Sequence, residues 1–275
     1  MVDIHCHIVP GVDDGAVSLE MSLAMIEEAK RSGVTAILTT PHIRGMAEET
    51  ARHAFHKRAF QTILDAEPAM ELHLGGEVRV TPETKTVIER PEFTVDEHSK
   101  YILLELEFEQ VPQYFPQLLF AYRLQGITPV LAHPERNIGI LRHPEQALEL
   151  VRQGARLQVT TGSLTGELGE SFQECAVKLV ECGLVTFLAS DAHNITSRRF
   201  TNWPAAREVL QEMAQQGDAL RPILPDDLCT HNPMAVCRGT ALTEPEWDEA
   251  TMKKVRERLS KNSRTSRKRK RFFWG

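Results

Sequence analysis

Along this chain, short apolar runs alternate with longer stretches in which apolar residues recur every three or four positions. Seven short runs, 2–7, 34–40, 71–77, 100–107, 128–133, 156–160 and 185–190, each end in polar residues and read as strands. Helical patterns separate most of them. Leu19, Leu23 and Ile26 keep i, i+4, i+7 spacing before Gly33, residues 145–152 stop at Gly154, and residues 171–183 stop at Gly183. Regular strand–helix alternation predicts an α/β fold of parallel strands with crossover helices.

The strand ends carry the residues with chemistry. His5/His7, His42, Glu77, Glu105/Glu107, His133 and Asp191/His193 all fall at the C-terminal ends of predicted strands. In an open sheet, strands far from the switch point could not deliver side chains to one place. A closed barrel gathers every C-terminal end around one mouth. The expected fold is therefore a distorted seven-stranded (β/α) barrel, smaller than the eight-stranded form.

His5 and His7 lie two apart in an apolar run, so a strand projects both imidazoles to one face, with Cys6 on the other as a small buried hydrophobe. Asp191 and His193 repeat that spacing after another apolar strand, where burial is costly unless the groups serve a metal. His42 follows Thr39-Thr40-Pro41, and His133 stands three residues before Arg136. Gly75-Gly76 before Glu77 would allow close backbone approach. Glu105 and Glu107 share a strand face, and Asp13 and Asp14 share a turn, so spacing does not choose within either pair. His53, His56, His73, His98, His143 and His231 end no predicted strand in a polar turn and read as surface or core histidines. Five histidines and at least four carboxylates exceed what one catalytic ion needs, which implies two or three ions. Imidazole with carboxylate, and no thiolate, suits manganese, iron or zinc.

Composition narrows the class. The chain has 275 residues, 41% hydrophobic and 25% charged, as an ordinary globular protein does. It shows no apolar run of membrane-span length and no basic-then-apolar leader, so a cytoplasmic location is the expectation. Five cysteines without a C-x-x-C argue against disulfides and a thiolate zinc site. The residues six beyond them are Val12, Glu181, Leu188, Ala235 and Thr243, none of them the arginine that a Cys-x5-Arg phosphatase requires. The net charge of −6 hides a division. From Lys253 onward there are eleven Lys/Arg against one acid, +10; residues 1–252 have 21 basic against 37 acidic, −16. The organisation expected is a barrel over 1–243, an amphipathic helix over 244–259, and a basic tail over 260–275 too poor in apolar residues to fold alone.

The ordered set H-x-H, H, H and D-x-H at strand ends resembles the PHP (polymerase and histidinol phosphatase) superfamily. Within it, the opening Asp3-Ile-His-Cys-His-Ile-Val-Pro-Gly-Val-Asp-Asp-Gly15 is similar to that of bacterial manganese-dependent tyrosine phosphatases of the capsule and exopolysaccharide type. The resemblance continues through Thr39–His42, Gly76-Glu77, Tyr101–Glu105, Ala132–Arg136 and Ala189–Asn194, and covers roughly residues 1–240. It implies a PHP-type barrel with three metals, probed first with Mn2+, held by His5, His7, Asp14, His42, Glu77, Glu105, His133, Asp191 and His193. It favours Asp14 over Asp13 and Glu105 over Glu107, and gives phosphate binding to Arg136 and Arg198, with Arg199 adjacent to the latter. The implied substrate is a phosphotyrosine protein, a bacterial tyrosine kinase, hydrolysed by metal-activated water without a covalent enzyme intermediate. Rival readings are a small-molecule (histidinol-phosphate-like) phosphatase or phosphoesterase and, in another class, a nucleic-acid-binding protein, which the acidic body disfavours. The tail, a Lys/Arg cluster followed by Phe272-Phe273-Trp274, suits an anionic membrane surface and would place the protein peripherally at the inner leaflet.

Overall fold

Every strand pairing among the described residues is parallel, and the strands return to their starting point. A computed structural model describes residues 1–44, 49–66, 68–84, 90, 93–98, 100–243 and 247–260. The strands are β1 (Val2–Asp3), β2 (Ala36–Thr39), β3 (His42–Ile43), β4 (Glu71–Leu74), β5 (Glu77–Arg79), β6 (Tyr101–Glu105), β7 (Thr128–Ala132), β8 (Arg156–Thr160) and β9 (Val185–Ala189). They form one sheet in the order β1-β2-β4 and another in the order β3-β5-β6-β7-β8-β9.

The two sheets are one ring. Thr40-Pro41 interrupts β2/β3 and Gly75-Gly76 interrupts β4/β5, but the Gly75 N–H still donates to Thr39 O (2.9 Å) and the Glu77 N–H to Pro41 O (3.1 Å) across the breaks. The expected strand 71–77 is therefore split at Gly75-Gly76, and the expected strand 34–40 shortens to Ala36–Thr39 and is followed past Pro41, which has no N–H to offer a ladder, by β3. Counted as interrupted staves they leave seven. Closure comes at the seam between the ends of the barrel: the His7 N–H donates to Ala192 O (2.8 Å) and the Asp191 N–H to His5 O (2.7 Å).

The expected strands 2–7 and 100–107 are also shorter, ending at Asp3 and Glu105. The reason at the first is visible in its packing. Val2 and Ile4 join an inner apolar cluster with Ala36, Leu38, Tyr101, Leu103, Val130, Ala132, Phe187 and Ala189. His5 and His7 then turn towards the same interior, so strict alternation breaks between Ile4 and His5. Cys6 packs instead in the outer layer between strands and helices. The inner cluster plugs the barrel and forms an apolar floor beneath its C-terminal mouth.

Helices α1 (Leu19–Arg31), α2 (Glu49–Asp65), α3 (Phe115–Leu124), α4 (Ile138–Arg142), α5 (Glu145–Arg152), α6 (Thr161–Thr165), α7 (Glu170–Glu181), α8 (Trp203–Gln216), α9 (Asn232–Cys237) and α10 (Glu249–Ser260) accompany the strands. In α1, Ser18 caps the first turn by accepting from the Met21 N–H (3.3 Å), Lys30 and Arg31 oppose the dipole at the last, and Met25, Ile26 and Ala29 face the core. Helix α10 buries Val255 and Leu259, while residues 244–246 and the basic tail from 261 lie outside the described residues. No helix among the described residues is long and apolar enough to cross a membrane.

Asp3 fastens the seam. Its fully buried carboxylate accepts from the His5 N–H (3.0 Å), the Ser190 N–H (3.1 Å) and the indole N–H of Trp203 (2.6 Å), tying β1 to the end of β9 and the start of α8. Asp3→Ala strands three buried donors, each costing about 1–3 kcal/mol when unpaired. Denaturant unfolding is expected to give a loss of at least ~3 kcal/mol, against about 1 kcal/mol for Trp203→Phe, which removes one donor and keeps the acceptor.

Candidate metal centre

Strand ends supply the site from around the ring. The nine expected ligand residues fall into four overlapping groups whose donor atoms lie within 4.8 Å of one another: His7/Asp14/His42/His193, His5/Glu77/His133, His5/His7/Asp191 and His42/Glu77/Glu105. His5, His7, His42 and Glu77 each belong to two groups. Eight of the nine sit in the walls of the mouth, and Asp14 is the exposed one, its side chain 55% accessible.

The protons on three imidazoles point away from the centre. His5 Nδ1 donates to Gln158 Oε1 (2.8 Å), His7 Nδ1 to Asp13 Oδ2 (2.8 Å) and His193 Nδ1 to the carbonyl of Asp191 (2.9 Å). A neutral imidazole so held presents the Nε2 lone pair inward. Those lone pairs meet acceptors. His5 Nε2 lies 3.2 Å from Asp191 Oδ1 and 3.3 Å from Glu77 Oε2, and His7 Nε2 lies 3.4 and 3.5 Å from the same two atoms. His42 Nδ1 lies 3.0 Å from Glu77 Oε2 without hydrogen-bond geometry. His42 Nδ1, Glu105 Oε2, Asp191 Oδ1 and His193 Nε2 are all buried with no hydrogen-bond partner. Such an arrangement of convergent nitrogen and oxygen atoms is one that divalent cations could occupy.

The electrostatics point the same way. Burial opposes charge on His5 and His7, yet Glu77 and Asp191 raise His5, and Asp13 and Asp191 hold His7 well above the ordinary imidazole range. Burial would raise Asp191, but Arg136 and His5 hold it well below the usual carboxylate range. Burial and the neighbouring Glu77 raise Glu105. Burial, with Arg136, lowers His133 to about 4, and burial, with His7, lowers His193 to about 3. The carboxylates thus draw positive charge towards His5 and His7 while His133 and His193 refuse protons.

Two arginines converge on the far oxygen of Asp191: Arg136 Nη1 at 2.7 Å and Arg198 Nη2 at 2.5 Å. The neighbouring Arg199 turns away. Its Nε and Nη2 donate to Glu28 Oε2 (3.0 and 2.6 Å), a buried carboxylate of α1 that also accepts from the Phe200 N–H (3.1 Å). Among the described residues five non-glycines have positive φ, and three are here: His133 (32°), Asp191 (55°) and Arg198 (47°). Left-handed backbone costs roughly 1–2 kcal/mol per residue, and its concentration at a mouth full of ionisable groups fits a functional site.

Geometry also separates the two ambiguous pairs. Asp14 Oδ1 lies 3.2 Å from His42 Nε2, whereas Asp13 sits behind His7 and accepts from the Gly15 and His42 N–H groups (2.9 and 3.0 Å). Gly15 is required there, because a Cβ would collide with the His7 carbonyl. Glu105 ends β6 facing the mouth, and Glu107 lies beyond the strand and is exposed, so the shared face expected for the pair does not exist. Gln158, Asp3 and Glu28 were not singled out by the sequence reading. A glutamine inside the apolar run Leu157-Gln158-Val159 was the available signal for the first. The six histidines expected to stand aside lie outside the four groups, and of these only His56 is buried, which lowers it to about 4.

The family described as "Capsular polysaccharide synthesis, CpsB/CapC" matches residues 1–238. The chain belongs to the CpsB/CapC family. It is 37% identical over 203 residues to the tyrosine-protein phosphatase YwqE of Bacillus subtilis, covering 73% of this chain and 80% of that one. To the tyrosine-protein phosphatase CpsB of Streptococcus agalactiae serotype V it is 32% identical over 207 residues, covering 72% and 85%. A solved structure from work on YwqE of B. subtilis and CpsB of Streptococcus pneumoniae, described as unique metal-dependent tyrosine phosphatases, superposes with a TM-score of 0.77. That match is 32% identical and covers 89% of this chain and 97% of the other. The CpsB/CapC match ends before α10, which is thus additional to the family's matched region.

Removal of metal is expected to lower the thermal midpoint of this CpsB/CapC protein, and added Mn2+ to restore it in a concentration-dependent way. Gln158→Leu removes the acceptor that orients His5. Calorimetric titration is expected to show Mn2+ affinity reduced by about 10–100-fold, with secondary structure by circular dichroism unchanged.

Proposed function

We propose that the chain is a metal-dependent protein tyrosine phosphatase, with phosphotyrosine on a bacterial tyrosine kinase controlling exopolysaccharide or capsule synthesis as its substrate. The observation that carries the reading is the cluster of convergent imidazole nitrogens and carboxylate oxygens, four of them buried without a hydrogen bond, beside two guanidiniums. Family membership and the activity named for YwqE and CpsB support the choice of phosphotyrosine. His5, His7, Asp14, His42, Glu77, Glu105, His133, Asp191 and His193 would hold two to three divalent ions, with Mn2+ the first to test. Bound there, the ions would supply Lewis acidity, making water nucleophilic near neutral pH and neutralising phosphoryl charge.

The chain's own residues do the rest. Arg136 keeps donors beyond the Nη1 committed to Asp191, and a planar guanidinium can grip two phosphoryl oxygens at once. Arg198 brings a buried Nε that has no partner, a donor available to an anion. Asp191 anchors both guanidiniums and so fixes the phosphate relative to the ligand cluster. With their Nδ1 protons committed to Asp13 and Gln158, His7 and His5 would hold an ion through Nε2, displacing the second proton that the carboxylates favour there. A tyrosine leaving group, with a phenol pKa of about 10, departs more easily than an alkoxide, which reduces the need for a strong general acid.

A thiol mechanism has no support in this frame. All five cysteines are buried, and burial pushes Cys175, Cys182, Cys229 and Cys237 up to about 12. Thiolate at those positions is scarce at neutral pH.

The deciding experiment compares a phosphotyrosine peptide, a phosphoserine peptide and histidinol phosphate, using metal-stripped protein with and without Mn2+. Mn2+-dependent turnover selective for phosphotyrosine is expected. A preference for histidinol phosphate would replace the substrate while keeping the site, and absence of turnover with any divalent metal would overturn the enzymatic reading. Within the same assay, Arg198→Ala is expected to raise KM at least tenfold. Arg199→Ala should leave turnover near the parent value and lower thermal stability through loss of the Glu28 pair.

A further inference from the structure

The residues that would take the phosphoryl group are imidazoles, carboxylates and guanidiniums. They select phosphate, but they have little with which to tell an aryl ester from an alkyl one. That distinction needs an apolar contact at the lip of the mouth. Three phenylalanines are exposed among the described residues, and Phe55 and Phe120 are carried on helices α2 and α3. Phe108, 55% exposed, is the one placed in a loop that leaves the C-terminal end of a strand, β6. It stands three residues past Glu105, so the two Cα atoms are at most about 11 Å apart. The loop is also fastened to the segment that follows Arg136. The Ile138 N–H donates to Phe108 O (2.8 Å), and Asn137 Nδ2 donates to Glu107 O (2.7 Å). The close approach continues at Gly139, where a Cβ would lie 3.2 Å from Gln110 Cα. Asn137 is itself fixed, its Oδ1 accepting from the Ile140 N–H in the first turn of α4 (3.0 Å). Phe108 is thus held between Glu105, a candidate metal ligand, and Arg136, a candidate phosphate-binding residue.

We propose that Phe108 determines specificity: its ring is the wall against which the phenyl ring of a phosphotyrosine lies while the phosphate reaches Arg136 and the ligand cluster. This rests on the phosphotyrosine reading above and adds the residue that would enforce it. Two aromatic rings in contact gain from offset or edge-to-face geometry beyond the apolar area they bury. A phosphoserine side chain has a single methylene and no ring to offer. The carbonyls of Glu107 and Phe108 are already tied down, so little ordering of the loop remains when a substrate arrives. Glu107 and Glu109, exposed on either side of Phe108, make this point of the rim acidic. It therefore suits a neutral ring better than a phosphate.

The test reads binding first, by calorimetric titration of the full-length Mn2+-loaded protein with two inert phosphonates, benzylphosphonate and methylphosphonate. The parent is expected to bind benzylphosphonate at least about tenfold more tightly. Phe108→Ala is expected to lower benzylphosphonate affinity at least about fivefold more than methylphosphonate affinity, and Phe108→Tyr to retain the preference. In turnover, Phe108→Ala is expected to raise KM for a phosphotyrosine peptide with a much smaller change in kcat. A parent without preference for the aryl phosphonate overturns the proposal, as does a preference that survives Phe108→Ala. Equal loss of both phosphonates also overturns it, because that reports damage to the site rather than loss of a ring contact. Self-association abolished by Phe108→Ala, with the phosphonate preference unchanged, assigns the ring to a second copy of the chain instead. The phosphonates need no turnover. Phe108-dependent binding of benzylphosphonate without hydrolysis of phosphotyrosine therefore overturns the phosphatase reading alone, and phosphotyrosine turnover indifferent to Phe108 overturns this proposal alone.

Discussion

Nitrogen lone pairs facing carboxylate oxygens at 3.2–3.5 Å, with the imidazole protons already committed elsewhere, are the constraint that organises this protein. Like electron pairs do not hold one another in place. Something positive, a second ring proton or a cation, must lie between them, or the surrounding structure must hold them apart. The barrel does the second through an apolar plug beneath, hydrogen-bonded staves at the sides, and Gln158, Asp13 and a main-chain carbonyl steering the rings from behind. Preorganisation of this kind takes the cost of bringing charges together out of ion binding and places it in folding.

That cost is met chiefly at the seam. Beyond the first and last strands of the ring lie two residues each of the candidate metal-holding groups, and Asp3 joins both strands to α8 through three buried hydrogen bonds. Glu28 plays a parallel part. By fixing Arg199 and the Phe200 N–H it anchors the chain just past Arg198, whose left-handed backbone aims its guanidinium at Asp191. Two buried carboxylates thus position groups at the mouth by holding the main chain of His5, Ser190 and Phe200 and the side chains of Trp203 and Arg199.

Much of this was legible in the residue pattern, because the chemistry repeats the geometry: polar pairs two apart after apolar runs, each at the C-terminal end of a strand. The α/β class, the seven staves and the convergence of His5, His7, His42, Glu77, His133, Asp191 and His193 follow from that alone. What the pattern hid depends on departures from regularity. Strand alternation fails between Ile4 and His5. The strand ends at Glu105 and so removes Glu107 from the face it was expected to share, and Pro41 and Gly75-Gly76 split two staves. Spacing could not separate Arg198 from Arg199 because the difference lies in a partner, Glu28, some 170 residues away. Gln158 and Asp3 act on residues distant in sequence, and nothing local marks them beyond a polar side chain in an apolar run.

The separation of those partners has a consequence for how the protein matures. No group of donors is complete within one strand and its loop, and two of the four include Asp191 or His193. The indole that secures Asp3 lies 200 residues further along the chain. A chain emerging from the ribosome therefore exposes His5 and His7 early as two mobile imidazoles, yet cannot enclose an ion between them and Asp191 until the last strand is out and the ring has shut. An ion held by these groups would be chosen only in the folded state, where cavity shape rather than order of encounter would decide which metal stays.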